Sequence, residues 1–529
     1  MADTSEEGVP PQPASTAPSD GPKAKSGMDM ASVADTGSPL PKELAHLLQD
    51  HWDEINREAI ELLQKLIQTD TQNFAEEGTE MEAVLILKEK FDQVDITYEI
   101  IEPKPGRGNI VARVYGDNSS GQGPLLLSAH LDTVHAPREN WKEENWKHNP
   151  FGGEIDEEDG CLYGRGAVDM KNFAAMSVTL LCFIKRSGIV LSRDLIFAGV
   201  ADEERTTSKW GARYLVENRP ELIEADIIFN ELGGFSLYVD GREAIVLQIG
   251  EKGSAQLKIT ANGPGGHGSI YHKENPIAKV GEIAHKLHTC RLPLRTNVAN
   301  RASIESLAAV LPFPKSTVFR QLLNATLSSF IERRLLTDDQ ISSMAPLLHN
   351  TANPTLIGGG EQHNQIPTTA WLKIDARFLP ECTVDDVVDD IKQLVGPTNF
   401  LPRQGPNGEE LPPELTLEVM ASRDSCFQDP CADGCPPVLQ VIREVVSMRA
   451  DGAPIVTTLI PGGTDFYWYM RHPTKKPICI GFTPMRIPPD MKFATLFHGT
   501  NERIPVEGFK WGMRVLTEVV CKVCSARIN

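Results

Sequence analysis

The chain holds no uninterrupted apolar run long enough to span a bilayer, so a transmembrane helix is excluded and no membrane partner is expected. It is short of base. Lys and Arg number 52 against 72 Asp and Glu over 529 residues, a formal net charge of −20. Phosphate binding needs clustered Lys and Arg, so a nucleic-acid partner is excluded as well. The start, Met1-Ala-Asp-Thr-Ser-Glu-Glu, lacks the charged-then-apolar pattern of a secretory signal. Ten cysteines in so long a chain do not make a disulfide scaffold, and the expected location is cytoplasmic. Cys161, Cys182, Cys290, Cys382 and Cys479 lie in or near apolar segments and read as inert core thiols. Cys426, Cys431 and Cys435 share a Pro/Gly/Asp-rich loop, and Cys521 and Cys524 form a lone C-x-x-C. A structural zinc wants paired C-x-x-C units, which these do not supply. No internal repeat is found.

What remains is an ordinary globular composition, 40% hydrophobic and 23% charged, in a chain long enough for two domains. Residues 1–40 are rich in Pro, Ser, Ala, Asp and Gly and cannot bury enough surface to fold, so a disordered tail is expected. Leu44, Leu48, Ile55, Ala59, Leu62, Leu63 and Leu66 recur at helical spacing. Apolar strand-like runs at 96–101, 109–115, 124–129, 195–201 and 226–229 then alternate with helical patterns at 81–91, 171–185 and 212–217. This rhythm predicts an α/β fold, a mixed and largely parallel sheet sandwiched by helices.

After Gly250 the texture changes. Residues 254–260, 369–378 and 414–420 alternate polar and apolar, and helical patterns at 276–288 and 384–394 lie between them. These predict an inserted α+β domain with two helices on one face of a small antiparallel sheet. The expected division is a first catalytic part over 41–251, a lid or dimerisation domain over 252–423, and a second catalytic part over 424–529.

Chemistry in open α/β sheets collects at the carboxyl ends of the strands. One apolar run ends in His130-Leu-Asp132 and another in Glu203-Glu204. Oxygen ligands plus imidazole suit zinc or a similar divalent ion. A spare carboxylate beside a metal activates water. Asp169 opens a helix, Glu231 follows a strand, and His498 precedes the last helix. Taken singly, an acid before a helix is an N-cap and a lone His an ordinary core or surface residue. Their shared rim changes that reading.

His130-Leu-Asp132-Thr-Val, Gly-Arg-Gly-Ala-Val-Asp169-Met-Lys, Asp-Glu203-Glu204, Glu231 and His498 resemble, in order, the signature of the M20 family of dizinc metallopeptidases and amidohydrolases. The resemblance covers about residues 44–525. Arg486-Ile-Pro-Pro-Asp-Met and the run after Phe497 look most like the carboxypeptidase S and N-acyl-amino-acid hydrolase branch. It implies two zinc ions, with cobalt or manganese as substitutes. Asp169 would bridge them, with Glu204 and His498 on one and His130 and Glu231 on the other. Asp132 would orient His130 through the second imidazole nitrogen. Glu203 would be the general base acting on a dizinc-bound hydroxide.

The resemblance also implies that His267, in Gly-Pro-Gly-Gly-His-Gly-Ser, stabilises the oxyanion, often across a homodimer formed through the lid. Asn364, Arg377 and the turn Gly462-Gly463-Thr464 would hold the substrate. The expected reaction is cleavage of an amide bond next to a free amino-acid carboxylate, in an N-acyl amino acid or a short peptide cut from its carboxyl end. An aminopeptidase or dipeptidase of the same family is the alternative; a non-catalytic binding protein would have no use for so complete a set. Residues 291–350 exceed the short lid of many relatives, and Arg320, Arg333 and Arg334 there read as surface charge.

Overall fold

Alternation along the strand Leu125–His130 sets the layers. Leu125, Leu127 and Ala129 join one core cluster with helices Lys42–Gln68, Lys171–Arg186 and Val506–Val523. Leu126 joins a second cluster on the opposite face, with helices Ala212–Asn218 and Phe466–Tyr469. A strand apolar on both faces is what a sheet covered on both sides requires. Helix Lys171–Arg186 has 14 buried residues among its 16, the pattern of a helix packed all round.

The computed structural model describes residues 40–74, 78–136, 145–205, 208–405, 407–429 and 436–528. The expected disordered tail, apart from Leu40, and Cys431 and Cys435 lie outside them. Ten described strands form one mixed sheet. Its path runs Thr97–Lys104, Arg107–Val114, Leu195–Val200, Leu125–His130, Ile227–Asn230, Ile478–Gly481, Arg242–Glu251 and Cys426–Phe427. From Leu195–Val200 to Ile478–Gly481 the pairing is parallel. Ser236–Val239 and Ile455–Ile460 add to Arg242–Glu251, antiparallel and parallel respectively. His130 pairs with Val200, so the loops carrying Asp132 and Glu203 leave the sheet side by side. The sequence patterns did not reveal strands Arg242–Glu251, Thr351–Gly359 or Ile455–Ile460.

A second, antiparallel sheet has the order Thr351–Gly359, Thr369–Phe378, Gly253–Asn262, Leu415–Arg423. Its first and last strands in the chain bracket the expected insertion. Leu257, Ile259, Leu372 and Ile374 pack under helices Pro276–Thr289 and Val384–Val395. Asn275 caps the first helix and a Thr383/Asp386 capping box starts the second. Ser254, Gln256, Asp375 and Arg377 on the other face line a cavity shared with the large sheet's rim.

The extension at 291–350 does not enlarge this sheet. Ile304, Leu307, Val310 and Leu348, from helices Val298–Val310 and Asp338–Leu348, pack on Ala244, Val456 and Leu459 of the large sheet. Ile455–Ile460 is an edge strand, and its apolar side chains need that cover. Arg320 pairs with Glu305 at the surface, and Arg333 and Arg334 are exposed. Cys290, read from sequence as a core thiol, is exposed because it caps the solvent end of helix Pro276–Thr289. Cys521 and Cys524 are buried free thiols.

Candidate active site

Four loops at the rim of the large sheet and one turn before the last helix bring the sequence-predicted ligands together. Asp169 lies at the centre. Its Oδ1 is 3.0 Å from His130 Nε2 and its Oδ2 is 3.2 Å from His498 Nε2. His130 Nε2 is also 3.7 Å from Glu231 Oε2, and His498 Nε2 is 3.0 Å from Glu204 Oε2. Two groups result, His130/Asp169/Glu231 and Asp169/Glu204/His498, each with its ligand atoms within 4.8 Å of one another. Asp169 belongs to both and offers one oxygen to each.

The donor set suits divalent ions. Ligands ~2.0–2.2 Å from a tetrahedral ion lie roughly 3.3–3.6 Å apart, the range these contacts bracket. Glu204 Oε1 is buried with no hydrogen-bond partner, an unmet acceptor at the second group. The charge balance agrees, because five carboxylates (Asp132, Asp169, Glu203, Glu204, Glu231) crowd two imidazoles.

That crowding governs the titrations. Burial, then repulsion from Glu231, pushes Glu203 well above the usual carboxylate range. Burial and Asp169 do the same to Glu231, and raise Glu204 to about 7. Burial also opposes ionisation of Asp169, but hydrogen bonds from His130 and His498 outweigh it and hold Asp169 low. His498 is raised to about 10 by Asp169 and Glu204.

Asp132 is fully buried but does other work than expected. His130 Nδ1 meets the main-chain carbonyl of Asp132 at 3.0 Å, while the carboxylate stands 3.7 Å off. The carboxylate instead accepts from the amides of Glu203 and Glu204 at 3.2 and 3.0 Å and from Asn73 Nδ2 at 2.7 Å. The turn after strand Leu195–Val200 brings those amides to it. Asn73 Nδ2 also reaches Asp202, whose own carboxylate takes the amides of Lys209 and Trp210. Asp202, at φ 59°, is left-handed, a conformation costing ~1 kcal/mol that this network holds in place. Thus Asp132 aims the Glu203-Glu204 turn.

Glu502 performs the same service for Asp169. Its Oε1 accepts from the amides of Gly166, Val168 and Asp169, and its Oε2 from Arg165. Neither Asn73 nor Glu502 carries a signal in the sequence, since each acts on a loop far along the chain.

A cavity of about 510 Å³ opens from the two ligand groups toward the small sheet. Leu232, Trp468 and Phe497 give it an apolar side, and Lys252, Arg377 and Arg423 a basic wall, with Gly462 and Gly463 between. Lys252 Nζ donates to the carbonyls of Pro346 and His349, tying the helical extension to this wall. One expectation changes here. Thr464 is buried and gives its amide and hydroxyl to Glu251, so its N–H is not free for substrate. Arg377 is forked onto Asp375. His267 and Asn364 adjoin one another through the ribbon Gly266–His267 and Gln365–Ile366, but neither lines the cavity, and His267 is exposed. Arg423, Glu251 and Asp465 line or support the cavity and were not foreseen. Arg423 had one signal, its place at the end of an alternating strand.

The model of peptidase family M20/M25/M40 matches residues 126–522, and the chain belongs to that family. It is a hydrolase of the metallopeptidase and amidohydrolase class. It is similar to human N-fatty-acyl-amino acid synthase/hydrolase PM20D1, 25% identical over 419 residues that cover 77% of this chain and 75% of the relative. It is also similar to a probable succinyl-diaminopimelate desuccinylase of Staphylococcus aureus (strain MRSA252), 24% identical over 77% of this chain and 85% of the relative. In fold it resembles human carnosine dipeptidase 1, with a TM-score of 0.59 at 13% identity over 92% of this chain and all of that one. Among the described residues no helix is long and apolar enough to cross a membrane.

Proposed function

We propose that this hydrolase cleaves the amide bond next to a free amino-acid carboxylate, in an N-acyl amino acid or a short peptide cut from its carboxyl end. The reading rests on one observation above all: the two oxygens of Asp169 face two separate ligand groups across the cavity from a basic wall. In this reading His130 and Glu231 would hold one zinc ion, Glu204 and His498 a second, and Asp169 would be shared between them. The pair, when bound, polarises the scissile carbonyl and acidifies the attacking water. Glu203 takes the proton of that water and delivers it to the departing nitrogen, a shuttle that needs a carboxylate basic enough to accept it. Asp132 keeps Glu203 in range through the main-chain bonds described above.

The basic wall and the Gly462 and Gly463 amides receive the carboxylate of the substrate. Neither glycine amide donates to an acceptor among the described residues, so both are available. Leu232, Trp468 and Phe497 take an apolar side chain or acyl group. His267 and Asn364 stand outside the cavity of their own chain, which favours a homodimer in which they serve the cavity of a second copy.

The dipeptide-splitting alternative has one observation of its own. Asp465 is buried, lines the cavity and makes no side-chain hydrogen bond among the described residues, a setting that suits a substrate ammonium group. The metal-reconstituted protein assayed with N-acetyl amino acids and free-amine dipeptides separates the two. Turnover of N-acetyl amino acids is expected; turnover of free-amine dipeptides alone refutes the first reading.

A further inference from the structure

The turn that carries Glu203 and Glu204 is gripped from the neighbouring strand. Strand Arg107–Val114 pairs with Leu195–Val200, and its first residues run on past that strand's end. Asn109 Oδ1 accepts from the Ala201 amide at 3.0 Å, and its Nδ2 donates to the Trp210 carbonyl at 2.8 Å. One side chain thus closes the turn at both ends.

Arg107 is fully buried, and so is Glu80, the first residue of helix Glu80–Asp92. Arg107 Nη1 donates to Glu80 Oε1 at 2.5 Å and stands 3.7 Å from Asp202 Oδ1. Glu80 Oε1 accepts in addition from the Asp202 amide at 3.3 Å. The pair therefore holds Asp202 by side chain and main chain, one residue before Glu203. A Cβ on Gly78 would collide with both Arg107 Nη1 and Glu80 Oε2, so the pair occupies the space a side chain would take there. The Met81 amide donates to the Gly106 carbonyl at 3.0 Å and ties the helix start to the residue before Arg107.

The charges explain why a cation sits here. Asp132 and Asp202 are both buried and share the Asn73 amide group. Like charges so close repel strongly away from water. Lys171, another buried cation near Asp132, gives its Nζ to the carbonyls of Leu66 and Thr69. Arg107 is in range of Asp202. Burial, then Asp132, raises Glu80 to about 7, and either form of Glu80 keeps Oε1 as an acceptor. The countercharge for Asp202 is Arg107's own. Apolar side chains of similar volume often stabilise a fold as well as a buried ionic cluster; what such a cluster adds is register. This one lies where the base and a candidate ligand leave the sheet, at a residue whose left-handed backbone sets the direction of both.

We propose that Arg107 is a positioning residue for the hydrolytic reaction: through Glu80 and Asp202 it fixes the turn, and with it the aim of Glu203 and the hold of Glu204 on its ion. The inference rests on the reading given under Proposed function, in which Glu203 is the base and Glu204 a ligand.

The test compares the zinc-loaded wild type with Arg107→Met/Glu80→Leu, which removes both charges of the pair and leaves Asp202 without its cation. The readouts are kcat and KM on an N-acetyl amino acid and the two stepwise zinc affinities by chelator competition. The double variant is expected to fold, because no unpaired partner of the pair remains. Its kcat should fall about 100-fold, the scale of a misplaced reacting group, with KM within about 3-fold. One zinc ion should bind about 10–100-fold more weakly and the other within about 3-fold of the wild type. Placed in Glu204→Gln, which is expected to keep only the ion of His130 and Glu231, the same changes should leave the remaining affinity within about 3-fold. Glu80→Gln keeps an oxygen for Arg107 and for the Asp202 amide and should lose less than about 5-fold in kcat. If the double variant does not fold, Arg107→Lys takes its place, with about a 10-fold loss in kcat and the same one-sided weakening of zinc. A folded double variant with wild-type kcat and both affinities intact means that Arg107 only fills the core, and it overturns the proposal. So does a loss shared equally by the two ions, or one that falls on KM alone. A wild type that binds no second ion, or does not turn over the substrate, sinks the functional reading itself and the inference with it.

Discussion

Removing Glu502 should loosen the site without touching any candidate ligand side chain. Its Oε1 takes the amides of Gly166, Val168 and Asp169 at 3.0, 2.8 and 3.1 Å, and its Oε2 takes Arg165 Nη1 at 2.6 Å. Both side chains of the pair are buried, at 4% and 1% exposure. Glu502→Ala leaves a guanidinium without its countercharge, at a cost of about 3–5 kcal/mol. The three amides lose their acceptor too, but water entering the space left behind offsets part of that loss. A total of about 4 kcal/mol is expected from urea unfolding at neutral pH. The loop carrying Asp169 relaxes with it, so zinc affinity, read by competition with a chelator, should fall about 10–100-fold. Replacing both partners, Arg165→Met with Glu502→Leu, should recover at least half of the stability, because no unpaired charge is then buried. If Glu502→Ala unfolds within about 1 kcal/mol of the wild type and keeps its zinc affinity, the clamp is not what holds Asp169.

Glu203→Ala should retain its metal and lower kcat about 10²–10⁴-fold, the usual weight of a general base; undiminished turnover rejects the assignment. Mixing inactive Glu203→Ala and His267→Ala chains should restore activity if His267 serves a second copy, and no recovery after subunit exchange would place its action within one chain. Burial, with Arg377 nearby, brings Lys252 from 10.5 down to about 7. The unfolded chain keeps that proton up to about pH 10.5 while the folded chain releases it near pH 7, so stability rises with pH across that window. The unfolding free energy of Lys252→Met relative to the wild type should therefore fall, by up to about 4 kcal/mol, between about pH 7 and about pH 10; a rise contradicts the linkage.

The parts of this protein that were legible in its sequence are those where a local pattern has a single physical meaning. Apolar runs that stop at His130 and Glu203 announce buried strands with polar tips, and the structure has strands Leu125–His130 and Leu195–Val200. Alternation over residues 369–378 likewise became the inner strand Thr369–Phe378. Thr351–Gly359 was missed because it is an edge strand whose outward residues, Leu356 among them, break the alternation and stay exposed. Ile455–Ile460 hid behind its threonines. Helices Val298–Val310 and Asp338–Leu348 cover the large sheet, and a helical period does not say which sheet a helix covers.

The candidate ligand residues could be read off because His130 ends a strand, Asp169 precedes a helix, Glu204 and Glu231 follow strands and all five fit one family signature in order. The groups that aim them could not. Asn73 acts on Asp132 from 59 positions away, and Glu502 on Arg165 from 337. Asp132 reaches His130 Nδ1 chiefly through its main-chain carbonyl, with the carboxylate 3.7 Å away and accepting from the Glu203 and Glu204 amides, a division of labour that no sequence pattern carries. Arg377 was named through the family resemblance alone; the structure adds its pairing with Asp375.

The central claim is that Asp169 is shared by two metal ions, and metal stoichiometry by mass spectrometry of the zinc-loaded protein tests it most directly. The wild type should carry two ions per chain, Glu231→Gln and Glu204→Gln one each, and Asp169→Asn neither. Two ions retained by Asp169→Asn, or none bound by the wild type, would contradict the account.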